Sequence, residues 1–254
     1  MEFGNYTGLA EPYSRYRPDY SSSVLRAILA LAGKNKTDMD AVDIGAGTGI
    51  WTRMLSGSEL RSVIAVEPND DMRRCGQRDT PDVSWQKGTG EHTGLADNCA
   101  DLVSMASSFH WVDTEAGLYE FHRLLRPGGR FVALWNPRMT ELSPVLSSIE
   151  QKLAELHPNL QRISSGKGNF AAKMNDILWH STLFDDVIYL EGRHTVHQTP
   201  EEYLGTWTSV NEVQVRLGPS LFHVFLDYVQ SVTRDLPYVE TTYMTRAWCA
   251  RRVS

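Results

Sequence analysis

Cysteine is scarce. Cys75, Cys99 and Cys249 are the only three in 254 residues, and they form neither a CxxC pair nor a zinc-ligand spacing. That excludes a disulfide scaffold and a zinc module, and it suits free thiols in the reducing cytoplasm. Long apolar runs are missing: none reaches the roughly 20 residues that span a bilayer. The opening MEFGNYTGLAEPYSRYRP has no basic stretch leading into an apolar one, so no secretory signal is read there. Basic charge is thin. The formal net charge is -6, and Arg73–Arg74 and Arg251–Arg252 are the only adjacent basic pairs. A protein that tracks nucleic-acid phosphates carries a basic stripe. There is no GxSxG turn and no paired Cys–His arrangement, so covalent catalysis by a protein nucleophile has no candidate. The expected partner is a small-molecule substrate, with no nucleic acid and no membrane, for a monomer or homodimer. With 41% hydrophobic residues the chain can bury one sizeable core and a small cap unaided.

The first half alternates helices with short buried strands. Residues 20–32 space Val24, Leu25, Ile28, Leu29 and Leu31 as a helix, with serines ahead of them as caps. The run 41–44 (AVDI) reads as a buried strand ending in glycines, and 50–56 as the next helix. Strands follow at 62–66, 83–86 and 101–106, with a helix over 69–77. An amphipathic helix over 114–125 closes at RPGG, ahead of a fifth strand at 130–135. Such alternation means βαβ units around a parallel sheet. Beyond 136 the pattern changes. Residues 141–180 read as mainly helical with a loop SSGKGNF at 164–170, 187–197 as strand, 200–235 as helical, and 240–249 as a last strand. The expected division is a core with an N-terminal helix (1–137), a helical cap insertion (138–182), a core strand (183–199), cap and C-terminal helices (200–235) and the last core strand (236–254).

The densest chemical signal is AVDIGAGTGIWT at 41–52. Gly45, Gly47 and Gly49 lie between a strand and a helix, where glycine permits a tight turn and the close approach of a ligand. Asp43 precedes them, and an acid there organises loop amides or meets a cationic ligand. Dinucleotide sites use G-x-G-x-x-G, whereas this loop is G-x-G-x-G, which disfavours a nicotinamide cofactor. Glu67 ends the second strand, where an acid accepts hydrogen bonds from both hydroxyls of a ribose. Together, loop, strand and acid are far more specific than glycines alone.

DIGAGTG, VEPNDDM, GTGEHTGLADNCADLV, SSFHWVD and LLRPGGRFVALWN occur in that order. They resemble the successive motifs of class I S-adenosylmethionine (SAM) dependent methyltransferases, specifically the type 11 group of small-molecule enzymes. SSFHW is similar to a subgroup that includes trans-aconitate-type methyltransferases. The resemblance covers about residues 10–137. It implies an α/β fold, a Rossmann-like core with a central, mostly parallel seven-stranded sheet and a helical cap. It also implies SAM as cofactor and S-adenosylhomocysteine as product. On it, Gly45, Ala46, Gly47 and Gly49 pack on the methionyl and ribose parts, and Glu67 binds the ribose hydroxyls. Pro68 and Met72 border the adenine, Gly90 and Glu91 meet its edge, and Ser107 lies below the sulfonium. Tyr13 and Arg17 match positions that cover the methionyl end, where Arg17 either pairs with its carboxylate or makes a surface ion pair.

Methyl transfer from a sulfonium is an in-line displacement, for which the protein supplies alignment and at most a proton acceptor. Phe109, His110 and Trp111 are expected to line the junction of cofactor and acceptor. His110 is either a general base or a structural hydrogen-bonding residue. Trp135 and Asn136 end the fifth strand and are expected to face the acceptor cleft as substrate-lining residues. Trp179, Tyr203 and Trp207 come from the cap and suggest a flat or apolar acceptor, a secondary metabolite for example, although core packing explains any single one of them. The trans-aconitate-type resemblance also implies a carboxyl methyltransferase as an alternative, but such an acceptor would want a basic cap, and residues 138–235 carry only scattered Arg and Lys. His194 and His197 alternate on a strand and face opposite ways, so no metal site is expected. The competing readings are an RNA or protein methyltransferase, a SAM-binding regulator without catalysis and an NAD-dependent oxidoreductase.

Overall fold

The structure, a computed structural model, describes residues 5–160 and 169–253. Seven strands form one sheet: β1 (Asp40–Ile44), β2 (Ser62–Val66), β3 (Ser84–Gln86), β4 (Ala100–Ala106), β5 (Leu125–Trp135), β6 (Phe184–Gln198) and β7 (Val239–Arg252). Their order is β3-β2-β1-β4-β5-β7-β6. Strands β1 to β5 pair in parallel, and β7 runs antiparallel to both β5 and β6. The sheet is therefore mostly parallel and seven-stranded, with β7 alone reversed between β5 and β6.

Successive residues point to opposite faces, and both faces are buried. Val103, Met105, Phe131, Ala133 and Trp135 enter one apolar cluster, with Phe109, Phe121 and Leu124 beneath α5 (Thr114–Leu124). Ala41, Leu102, Val132 and Leu134 enter the other, against α2 (Ser22–Leu31) and α3 (Ile50–Ser56). Local chemistry marks the helix starts. The Asn69 side chain accepts from the amides of Asp71 and Met72 at the head of α4 (Asp70–Asp79). Asp113 caps α5, and Thr199 with Glu202 forms a reciprocal capping box on α9 (Pro200–Thr208).

Helix α1 (Ala10–Tyr16) was not legible from periodicity. Its Pro12 sits in the first turn, where a missing N–H costs nothing. Packing holds it instead: Ala10 joins Met72 and Cys75 of α4, flanked by Tyr6 and Tyr13. The segment after β5 is not one layer. Helix α6 (Pro144–Leu156) packs with α9 and α10 (Asn211–Thr233) through Leu146, Ile149, Leu153, Tyr203, Trp207 and Phe225. Two shorter helices, α7 (Asn169–Ala172) and α8 (Met174–Trp179), bury Ala171, Met174 and Leu178 in the core of the sheet. Residues 164–168 of the expected loop lie outside the described residues, and Asn169 and Phe170 begin α7. Helix α10 is two helical runs joined at Gly218, with φ +69°, and Pro219. Among the described residues, no helix is long and apolar enough to cross a membrane, and no group of three His, Cys, Asp or Glu stands together as metal ligands.

Candidate active site

The carboxyl ends of β1, β2 and β4 lie side by side, which is where open α/β sheets bind ligands. Between β1 and α3 the chain turns through Gly45, Gly47 and Gly49, with φ of +64°, +59° and +83°. L-residues avoid that region, so the turn needs glycine. The amides of Gly45 and Ala46 both donate to the Val66 carbonyl, at 2.8 and 3.1 Å, and pin the turn to the end of β2. A methyl group on Gly45 would stand 2.7 Å from Cβ and Oγ of Ser108, whereas on Gly47 its nearest neighbour would be Met72 Cε at 3.8 Å. Protein fills the space at Gly45, whereas a side-chain carbon at Gly47 would meet only an ordinary contact.

Glu67 is 6% exposed. Its Oε2 accepts the Gly47 N–H and its Oε1 the Asn69 N–H, each at 2.8 Å. Burial raises its pKa, and the two amide bonds oppose that shift. Each carboxylate oxygen keeps lone pairs for further donors such as vicinal hydroxyls. The residues present therefore fit the nucleoside of the implied cofactor: an acid aligned by backbone, beside a glycine where an added methyl group would make only an ordinary contact with Met72. Pro68 is exposed next to it, and Met72 is buried against the N-terminal segment.

Asp43 lies beneath the loop. It is fully buried, accepts from Thr52 Oγ1 at 2.6 Å and from Ser104 Oγ at 3.4 Å, and burial raises its pKa to about 7. Its visible work is to fasten α3 to β1 and β4. Ser107 takes φ +55°, a costly angle for a residue with a side chain, and its Oγ lies 2.9 Å from the Tyr20 hydroxyl. Gly90 is packed against Val112, where a methyl group would come within 2.4 Å. Glu91 Oε1 accepts the Asp113 N–H at 2.9 Å and ties the loop after β3 to α5.

Arg17 lies over the Tyr13 ring at 4.9 Å, and its Nε donates to Ser209 Oγ at 2.7 Å, at the end of α9. Neither Tyr6 nor Tyr20 was singled out from the sequence, yet both belong here. Burial raises both phenols, and the charge of Arg17 acts on each; Tyr6 also feels Glu67, and Tyr20 feels Asp43. A single tyrosine in a polar segment carries no periodic signal that would have found them.

The expected acceptor-lining aromatics divide. His110 and Trp111 do stand together, with ring centroids 4.8 Å apart, and Trp111 is 41% exposed. His110 Nδ1 accepts from Trp135 Nε1 at 3.4 Å, and burial alone lowers the imidazole to about 4. Phe109 is fully buried against Phe121, Phe131 and Phe170, because the short 3-10 turn Phe109–Trp111 sends it under α5. Trp135 is core, edge-on to Trp248. Tyr203 and Trp207 fill the apolar centre of α6, α9 and α10. Trp179 points outward, 72% exposed. Asn136 is a clamp: it donates to the Asp19 carbonyl at 3.0 Å and accepts from Thr245 at 2.9 Å.

A model of the methyltransferase domain, type 11, matches residues 42–133, the stretch that holds the glycine turn, Glu67 and His110. An uncharacterized methyltransferase of Mycobacterium tuberculosis is 36% identical over 138 residues, 54% of this chain and 53% of that protein. The matched region thus spans about half the length of that relative. One of Schizosaccharomyces pombe is 23% identical over 251 residues, 95% of this chain and 94% of that protein. A solved structure from Anaeromyxobacter dehalogenans, described as a type II methyltransferase, superposes with TM-score 0.68 at 21% identity, over 94% of this chain and 99% of that one; at that identity the likeness is one of fold. Residues 42–133, with the glycine turn facing its acid, thus match the type 11 methyltransferase domain, and the 3-2-1-4-5-7-6 strand order is the Rossmann-like architecture that the solved methyltransferase structure shares.

Proposed function

We propose that the chain transfers the methyl group of SAM to a small-molecule acceptor with a flat or apolar body. One observation carries the reading: the Glu67 carboxylate, aligned by the Gly47 and Asn69 amides, stands beside a left-handed turn whose Gly47 is not crowded by protein. Bound SAM supplies a carbon already activated by its sulfonium, so no protein nucleophile is needed. The chain's own residues bind and orient. Glu67 accepts the ribose hydroxyls, the turn from Gly45 to Gly49 packs beneath them, and Met72 and Pro68 border the base. Arg17 and Tyr13 meet the amino-acid end. Tyr20 and Ser107 form a hydroxyl pair at the end of β4.

His110 accepts from Trp135 and has no partner for its Nε2 among the described residues, so its role in this reading is to present that N–H to the acceptor and not to take a proton. Its Nδ1 accepts from Trp135, which leaves the proton of the neutral ring on Nε2, and a ring held near 4 is a weak base at neutral pH. The net charge of -6 supports a small molecule over RNA. The test uses methyl-labelled SAM with separate metabolite, RNA and protein fractions, and Gly47→Val as control. Label is expected in the metabolite fraction with the wild type alone. Label confined to RNA or protein, or none above the control, contradicts the reading.

A further inference from the structure

Arg138 lies three residues past the end of β5 and bridges to Tyr243 of β7. It is 8% exposed. Its guanidinium lies over the Trp207 ring at 4.3 Å. Among the described residues neither Nη1 nor Nη2 has a hydrogen-bond partner. The Tyr203 hydroxyl lies beside the guanidinium, and the fields of Tyr243, Tyr203 and Glu150 of α6 reach it, but Glu150 forms no ion pair with it. The orphans are grouped. Tyr243 Oη has no partner, and His194, with the Asp19 backbone beside its ring, stacks on Tyr243 at 5.5 Å. A buried guanidinium whose two terminal nitrogens find no acceptor burdens a fold, and such nitrogens call for a water, an ion or a ligand to complete them.

Position strengthens the point. Residues following β5 emerge at the carboxyl end of the parallel strands, as the glycine turn and Ser107 do. Helix α9 joins the two regions: Trp207 lies under Arg138, and two residues on Ser209 accepts from Arg17. A planar guanidinium with both terminal nitrogens free is built for two parallel bonds to one oxyanion.

We propose that Arg138 receives an oxyanion of the methyl acceptor, a carboxylate or phosphate, held end-on by Nη1 and Nη2 with Tyr243 and His194 donating beside it. This rests on the methyltransferase reading and narrows it: the acceptor has a flat or apolar body and an anionic end. Sequence alone argued against such an acceptor because no basic cap is present. One buried arginine does what several exposed ones would do, because little water competes for it.

The experiment is thermal-shift titration of the full chain saturated with S-adenosylhomocysteine. The probes are benzoate, cinnamate, octanoate and phenyl phosphate, each beside its neutral amide or, for the phosphate, phenol. At least one acid is expected to bind at least 30-fold more tightly than its neutral partner, and the better of carboxylates and phosphate names the oxyanion. Arg138→Met should weaken that acid on the order of 100-fold, leave S-adenosylhomocysteine affinity unchanged, and melt at the wild-type temperature or above. If Arg138→Met does not fold, Arg138→Lys substitutes a point charge for the fork and should weaken the acid about tenfold. No acid preference in the wild type overturns the proposal, and so does a preference that survives either substitution at full strength. If S-adenosylhomocysteine itself does not bind, the methyltransferase reading fails instead.

Discussion

Gly45 and Gly47 differ by two positions and should fail for different reasons when changed to alanine. Both have left-handed φ, +64° and +59°, which costs an L-residue about 1–2 kcal/mol. At Gly45 the new methyl group would meet Ser108 Cβ and Oγ at 2.7 Å, against the end of β1, where Ser108 Oγ donates to the Ile44 carbonyl at 3.0 Å. Overpacking of that kind adds about 1–3 kcal/mol. Gly45→Ala should therefore lose about 3 kcal/mol, which is roughly 6–12 °C of melting temperature for a chain of this size. At Gly47 the nearest atom is 3.8 Å away, an ordinary contact, so Gly47→Ala should lose only about 1–2 kcal/mol. Its methyl group would instead occupy space proposed for the cofactor, and S-adenosylhomocysteine should bind on the order of 30-fold more weakly, about 2 kcal/mol. Urea unfolding and calorimetric titration of both variants separate the two costs. Ser108→Gly removes the clashing atoms and should return about 1–2 kcal/mol to Gly45→Ala while leaving Gly47→Ala unimproved. Equal stability losses at the two glycines, or strict additivity of Ser108→Gly with Gly45→Ala, would refute this account of the turn.

Burial holds the Asp43 carboxyl at about 7, so the folded chain binds that proton more tightly than the unfolded one. Its contribution to stability is complete below about pH 4 and is lost as pH rises through 7. Asp43→Asn should accordingly gain on the wild type by about 2–4 kcal/mol between pH 4.5 and 8 in urea unfolding, and a pH-independent difference contradicts this. His110→Gln should keep turnover within about tenfold from pH 6 to 8, whereas a loss beyond about 100-fold would restore the general base. Phe109→Ala should cost about 3–5 kcal/mol as a core deletion with unchanged S-adenosylhomocysteine affinity in the folded protein. Trp179→Ala, on an exposed side chain, should stay within about 0.5 kcal/mol by the same unfolding assay.

What could be read from the sequence was local. The glycine turn and Glu67 lie within 23 residues of one another, and strand ends fix where each must be. Alternation of buried strands with capped helices likewise announces a parallel sheet without any knowledge of its neighbours. Contacts between distant segments were not readable. Tyr6 and Tyr20 reach the site only because α1 docks on α4 and the chain then turns under β4. Glu91 looks like a free acid in sequence, and the fold spends it on the head of α5. Aromatic residues were the weakest guide, because a ring suits a core as well as a ligand. Phe109 and His110 are adjacent, yet a 3-10 turn sends one into the core and leaves the other tilted against Trp111. Tyr203 and Trp207 were legible as a helical face, but whether that face meets a ligand or α10 depends on residues far along the chain.

The most direct test of the central claim is calorimetric titration of the wild type and Glu67→Ala with S-adenosylhomocysteine. The account predicts micromolar-range binding by the wild type and a loss on the order of 100-fold in the variant, as expected when a buried carboxylate that accepts two hydroxyl donors is removed. Equal affinity in the two proteins, or no binding by the folded wild type, would contradict it.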